Sequence, residues 1–207
     1  MFYFVKTPWL LKKIYPYGIW DFPSTTKTVY LSFDDGPHPA ITPFVLDQLD
    51  RYNAKASFFC IGKNVVAHKD IFEMIVRKGH RVGNHTQNHL NGWKTADEDY
   101  IANIQEAGQY INSNLFRPPY GRIKKSQAIA MQKKFAGMKI IMWDVLSADF
   151  DTGIDAERCT RNVVQNVRPG SIVVFHDSEK AFPRLEHTLP AVLENLSAQG
   201  YQFDAIP

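Results

Sequence analysis

The 207-residue chain predicts an α/β fold, a mostly parallel sheet wrapped by helices. Three observations lead there. Strand-like apolar runs alternate with helix-like patterns along nearly its whole length, in roughly seven β-α units. Helix caps and glycine stops punctuate that alternation where a change of element is needed. The length suits one domain with a substantial core, at 44% hydrophobic and 22% charged residues. From the alternation alone the sheet is either closed into a barrel or open.

Taken in order, "TVYLSF" (28–33) reads as the first strand. In "TPFVLDQLDRY" (42–52), Phe44, Val45, Leu49 and Tyr52 fall at helical spacing, with Thr42 as N-cap and Pro43 in the first turn. "KASFFCI" (55–61) is a second strand, and "NVVAHKDIFEMIVRKG" (64–79) a helix stopped by Gly79. "HRVGN" (80–84) is a short third strand. The following 95–114 segment is a long amphipathic helix opened by Thr95 with Glu98 three residues on, a capping box. A short segment at 115–117 precedes a helix at 125–135, and "MKIIMWDV" (138–145) is the next strand. A helix at 155–167, a strand "SIVVFHD" (171–177), a helix at 184–200 and a closing strand at 201–206 complete the series.

Composition excludes several classes. The net charge is +3 with scattered basic residues and no basic run, so no nucleic-acid partner is expected. Two cysteines make no disulfide framework; Cys60 reads as a small buried hydrophobe and Cys159 lies in a predicted helix. The apolar start, "MFYFVKTPWLLKKIYPYGIW", is interrupted by Lys6 and Pro8, and its Lys12-Lys13 pair follows the apolar part. It fits neither a transmembrane span nor a secretory signal, so a packing arm or interfacial segment is expected, with the cytoplasm as compartment and the cell envelope as the alternative.

In parallel α/β folds chemistry collects where strands end. The first exit, in "VYLSFDDGPH", sets Asp34 beside Asp35. Adjacent carboxylates at the mouth of a buried strand cost stability unless a cation or hydrogen-bond partner offsets them; a capped turn is the other reading. The third exit, "NHTQNH", carries His85 and His89 at i and i+4. A helical turn there puts both imidazoles on one face, close enough to share a metal, whereas surface histidines are the alternative. Two imidazoles and a carboxylate from another exit make an open site for a hydrolytic divalent metal, most often zinc. No HExxH is present.

The fourth exit, "RPPYG", runs from Arg117 to Gly121. Pro119 has no N–H, so that of Tyr120 is the first free donor after the proline pair: an oxyanion contact, or simply a proline turn with a packed tyrosine. The fifth exit carries Asp144 and Asp149, and the sixth His176, which a hydrogen-bonded core histidine would also explain.

The stretches "SFDDG", "HTQNH", "RPPYG", "WDVLSADF" and "VVFHD" resemble, in order and approximate spacing, the five motifs of the polysaccharide deacetylases, the NodB-homology domain of carbohydrate esterase family four. The resemblance runs from about Lys27 to the C-terminus, making residues 27–207 a catalytic domain and 1–26 an arm outside it. It implies a distorted (β/α) barrel of about seven parallel strands. It also implies a metal-dependent hydrolase removing acetyl groups from N-acetylated, or O-acetylated, sugars of a glycan such as peptidoglycan or chitin.

Residue by residue, the resemblance makes Asp34 the catalytic base and Asp35, His85 and His89 the ligands of a divalent metal, zinc first. Arg117 orients the base, the Tyr120 N–H is the oxyanion donor, and His176 is the acid. Asp149 tunes His176, with Asp144 as its rival. Trp93, Tyr120 and Phe150 are candidates for stacking on sugar, and Trp143 is expected in the core. Ser32, Leu146, Phe150 and Val174 depart from the family's usual residues, which bears on substrate shape. The alternatives are an amide hydrolase of a small non-glycan substrate on the same scaffold, or a non-catalytic glycan-binding module.

Overall fold

The computed structural model describes residues 3–207. A short helix α1 (Trp9–Ile14) and strand β1 (Gly18–Ile19) lead into β2 (Thr28–Asp34), α2 (Ile41–Asp50) and β3 (Ala56–Cys60). Then come α3 (Gly62–Ala67), α4 (Lys69–Arg77), β4 (Arg81–Asn84), α5 (Asp97–Ala107), β5 (Leu115–Phe116), α6 (Lys125–Lys134) and β6 (Lys139–Ile141). The chain ends with β7 (Val145–Leu146), α7 (Ala156–Val164), β8 (Ile172–His176), α8 (Phe182–Ala198) and β9 (Gln202–Phe203). The strands form one parallel sheet in the order β1-β6-β5-β4-β3-β2-β8-β7, with β9 beside β2. The expected α/β architecture is what is found: a curled parallel sheet wrapped by helices, a distorted (β/α) barrel.

Side-chain alternation along β2 sorts the molecule into layers. Leu31 and Phe33 point outward to a core shared with Val45, Leu46 and Leu49 of α2 and Leu185, Leu189 and Val192 of α8. Phe58 and Phe175, the register partners of Phe33 on β3 and β8, stack on it at 5.1 and 5.7 Å between ring centroids. Ser32 and Asp34 therefore face inward, where Phe59, Leu115, Ile141 and Ile172 fill the barrel. The outward phenylalanines fix the register, and the register sets Asp34 opposite His176 on the neighbouring strand.

Several elements differ from the sequence expectation. The helix expected over 64–79 breaks at His68 into α3 and α4. Helix α5 is capped one residue late, by Ala96, with no side-chain cap; the Thr95 hydroxyl donates to the Asn91 carbonyl at 2.8 Å. Asp97, Glu98 and Asp99 occupy its first turn instead, where the helix dipole favours negative charge. Thr42 lies inside α2 and does not cap it; its hydroxyl accepts the His38 N–H and donates to Asp177. The run 138–145 is two strands with different partners: β6 pairs β5 and β1, and β7 pairs β8. Cys60 and Cys159 are buried free thiols.

The apolar start packs as an arm across the barrel seam. Residues Val5–Thr7 run antiparallel to β7: Leu146 N–H donates to the Val5 carbonyl and Thr7 N–H to that of Asp144, at 2.8 and 2.9 Å. After α1, β1 joins the opposite edge through β6. The arm is fastened by Asp144, fully buried, which takes Lys6 at 2.5 Å, Lys12 at 2.7 Å and the Ser171 hydroxyl at 2.6 Å. Among the described residues no helix is long and apolar enough to cross a membrane.

Candidate active site

At the end of β2 the two aspartates part company. Asp34 is buried, and its Oδ1 accepts from Nη1 of Arg117 at 2.6 Å. Arg117 itself is wholly enclosed. It donates to the Ser32 hydroxyl at 2.8 Å and to the carbonyls of Ile141 and Met142 at 3.2 and 3.1 Å, with its guanidinium 4.0 Å from the centre of the Phe59 ring. A buried cation held this fully fixes the carboxylate it touches, so Asp34 has one orientation.

Asp35 takes a left-handed backbone, φ 81°, and turns away from Arg117 toward the histidines. Its Oδ1 lies 3.2 Å from His89 Nε2 and 3.8 Å from His85 Nε2. The turn depends on Gly36, where a Cβ would stand 2.1 Å from the Asp177 carboxylate. The same Asp177 accepts the Gly36 N–H at 3.0 Å, and the Asn64 amide donates to the Asp35 carbonyl at 2.7 Å. Burial pushes the Asp177 carboxyl up to about 8. This buried aspartate, directly after His176, is a supporting residue that sequence reasoning passed over; a second carboxylate closing "VVFHD" was its only signal.

His85 and His89 do converge, though not through the helical turn their spacing suggested. Residues 85–89 form an irregular loop with Thr86 and His89 in the left-handed region, φ 62° and 56°, and the two rings sit 5.1 Å apart. His85 Nδ1 donates to the Arg117 carbonyl at 2.8 Å, which leaves the lone pair of Nε2 facing Asp35. Burial lowers its pKa to about 4, so the imidazole is neutral. Burial alone would raise the Asp35 carboxyl, but the His89 hydrogen bond and the positive charge of His176 hold it well below the usual carboxylate range.

One ligand atom from each of Asp35, His85 and His89 lies within 4.8 Å of the others. Two imidazole nitrogens, that of His85 neutral and anchored through its far nitrogen, and an ionised carboxylate are a donor set that fits a divalent metal ion.

His176, at the end of β8, lies beside Asp34 in the sheet and near enough for its charge to act on Asp35. Its Nδ1 donates to Asp149 Oδ1 at 2.7 Å, and its backbone N–H to Asp149 Oδ2 at 2.8 Å. Burial pulls the imidazolium down, but the Asp149 carboxylate, with Asp35 and Asp34 behind it, pushes it up to about 9. Arg184 anchors the loop by donating to the Asp149 carbonyl at 2.5 Å. Asp144, the rival candidate, binds the arm lysines instead. Phe150 stands edge-on to His176 at 5.3 Å.

Tyr120 closes the rim, with φ 60°, its ring 4.6 Å from that of His89 and largely exposed. Trp143, expected in the core, is only partly buried, and Gly121 packs against its indole, where a Cβ would stand 2.5 Å from the ring.

Comparison with known proteins agrees with this geometry. The profile of the family described as polysaccharide deacetylase matches residues 22–140. A peptidoglycan-N-acetylglucosamine deacetylase of Bacillus cereus is 34% identical over 202 residues, covering 94% of each chain. A chitooligosaccharide deacetylase of Azorhizobium caulinodans is 33% identical over 203 residues, covering 87% of this chain and 93% of its own. A crystal structure of a peptidoglycan N-acetylglucosamine deacetylase in complex with a naphthalenyl N-hydroxybenzamide superposes with a TM-score of 0.85 at 29% identity, over 97% of this chain and 95% of that one. With a profile spanning more than half its length and relatives aligned over nearly all of it, the chain belongs to the polysaccharide deacetylase family.

Proposed function

We infer that the protein is a metal-dependent deacetylase of N-acetylated sugars, and propose zinc as its metal and the N-acetylglucosamine units of peptidoglycan as its first substrate. The observation that carries the reading is the meeting of Asp35, His85 and His89 between two further pairs, Asp34–Arg117 and Asp149–His176. Two imidazoles and one carboxylate with open positions favour zinc. The substrate follows the similarity to peptidoglycan deacetylases over nearly the full chain.

Asp35, His85 and His89 would hold the ion, which would supply Lewis acidity toward the acetamide carbonyl and toward water, whose pKa a bound divalent metal lowers to about 7. The chain's own residues manage the protons. Asp34, fixed by Arg117, accepts a proton from the attacking water. The backbone N–H of Tyr120, on a loop stiffened by Pro118 and Pro119, donates to the carbonyl oxygen as it gains charge. A departing amine needs a proton, and His176, kept charged by Asp149, gives it one. Because β2 and β8 are neighbours in register at Asp34 and His176, base and acid stand on adjacent strands beside one site.

The test is acetate release from peptidoglycan and from N-acetylglucosamine oligomers by the zinc-loaded protein, with a chelated control. Acetate in the loaded sample alone is expected. None above the control, across N- and O-acetylated sugars, would overturn the reading.

A further inference from the structure

We propose that the N-terminal arm builds a second sugar subsite beside the metal-binding cluster, an aromatic groove that takes the pyranose ring next to the one being deacetylated. The proposal rests on the deacetylase reading above and extends it to a segment outside the motifs. A cavity of about 300 Å³ lies between the arm and the "RPPYG" loop. Phe4, Leu11 and Trp20 come from the arm side, and Trp93, Tyr120 and Trp143 from the barrel. That volume is at the lower end for small-molecule sites and matches a sugar ring rather than a long chain segment.

The groove joins the chemistry at both ends of its mouth. Tyr120 lines it and touches the His89 ring at 4.6 Å. Tyr3 lines it as well and packs edge-on against Phe150 at 5.5 Å, while Phe150 packs against His176 at 5.3 Å. The Tyr3 hydroxyl donates to Asp151 at 2.7 Å, which ties the arm to the loop carrying the acid's partner. A glycan placing one acetamide at the metal cluster thus has its next ring at the groove.

The lining chemistry selects a sugar. A pyranose has a flat face of C–H bonds edged by hydroxyls; rings of Trp and Tyr offer the matching apolar faces with polar tips. Arg122 is the charged side chain in the lining, stacked over Trp93 at 5.1 Å, and it leaves its donors for hydroxyl oxygens. The arm's position is set by the buried Asp144 and its lysines, so the wall is held in place before substrate arrives.

Trp93→Ala and Phe4→Ala, both at exposed rings, test this in the zinc-loaded full chain. Two readouts are compared for β-1,4-linked tetramers and monomers: initial-rate kcat/KM on N-acetylglucosamine sugars, and tryptophan fluorescence with the glucosamine tetramer, a product that cannot turn over. The tetramer's advantage in kcat/KM is expected to fall about tenfold in each variant, through KM, and its Kd to weaken about tenfold. Acetate release with an unchanged tetramer advantage in both variants would overturn the groove and leave the deacetylase standing. Variant-sensitive tetramer binding with no acetate from any acetylated sugar would support the groove and overturn the deacetylase. Neither binding nor acetate would overturn both.

Discussion

Asp149→Asn tests the proposal that His176 is an acid kept charged by its neighbour. In the native site the Asp149 carboxylate is the strongest influence lifting His176, to about 9 against an ordinary value near 6.5. At about 1.4 kcal/mol per pH unit that gap is on the order of 3 kcal/mol of preference for the imidazolium. At pH 7 the acid is then about 99% protonated, and at pH 8 still about 90%. The asparagine keeps the volume and loses the charge, while the burial that lowers the pKa remains. His176 then falls from about 9 toward its ordinary 6.5, where it is about a quarter protonated at pH 7 and about 3% at pH 8.

At that limit, from protonation alone, kcat/KM drops about fourfold at pH 7 and about thirtyfold at pH 8, with the alkaline limb moving down by about two pH units. A cation on Asp35 offsets that carboxylate's share of the lift, so the variant reads Asp149 specifically. The assay is the pH profile of acetate release, with metal content measured in parallel. An alkaline limb in the same place in both proteins would refute the assignment of His176 as an acid tuned by Asp149. The same linkage gives a sign for stability. A group whose folded pKa is raised stabilises fully below about 6.5, and that contribution is lost as pH rises through about 9. Denaturation midpoints of the native chain should fall over that window, and those of Asp149→Asn should fall less.

Arg117→Ala leaves the buried Asp34 carboxylate without its cation; breaking such a pair costs about 3–5 kcal/mol, read as a lower urea midpoint. His85→Ala and His89→Ala should each reduce bound zinc from about one ion per chain to a small fraction of that, by elemental analysis after dialysis. Asp144→Ala removes the carboxylate that Lys6 and Lys12 share and should expose residues 3–17 to limited proteolysis while the barrel resists; an arm as resistant as in the native protein would contradict its role as fastening.

The rim positions were legible because each of these polar residues stands at or just past a strand's end: Asp34 after Phe33, His176 after Phe175, His85 just beyond β4. A strand's end is written in local composition, and the alternation of such runs with helical patterns is enough for the barrel. What was not legible depends on tertiary contact. The loop from His85 to His89 uses left-handed backbone at Thr86 and His89, which no residue preference announces, so the correct pair was reached by the wrong geometry. Asp144 and Asp149 are equal as acids after a strand; only the arm's lysines, more than a hundred residues away in sequence, separate the fastening from the tuning residue. Strand β1 has two residues and exists because β6 offers it an edge.

The arm also orders events in time. Residues 5–7 and 18–19 find their hydrogen-bonding partners near residues 140–146, so the arm is synthesised before the strands it docks on and waits for them. Contacts of such long sequence separation form late, after shorter loops have closed. Until then both margins of the sheet lie open to pairing with other chains, and the barrel passes through a sticky stage that ends only when the arm folds back over the gap.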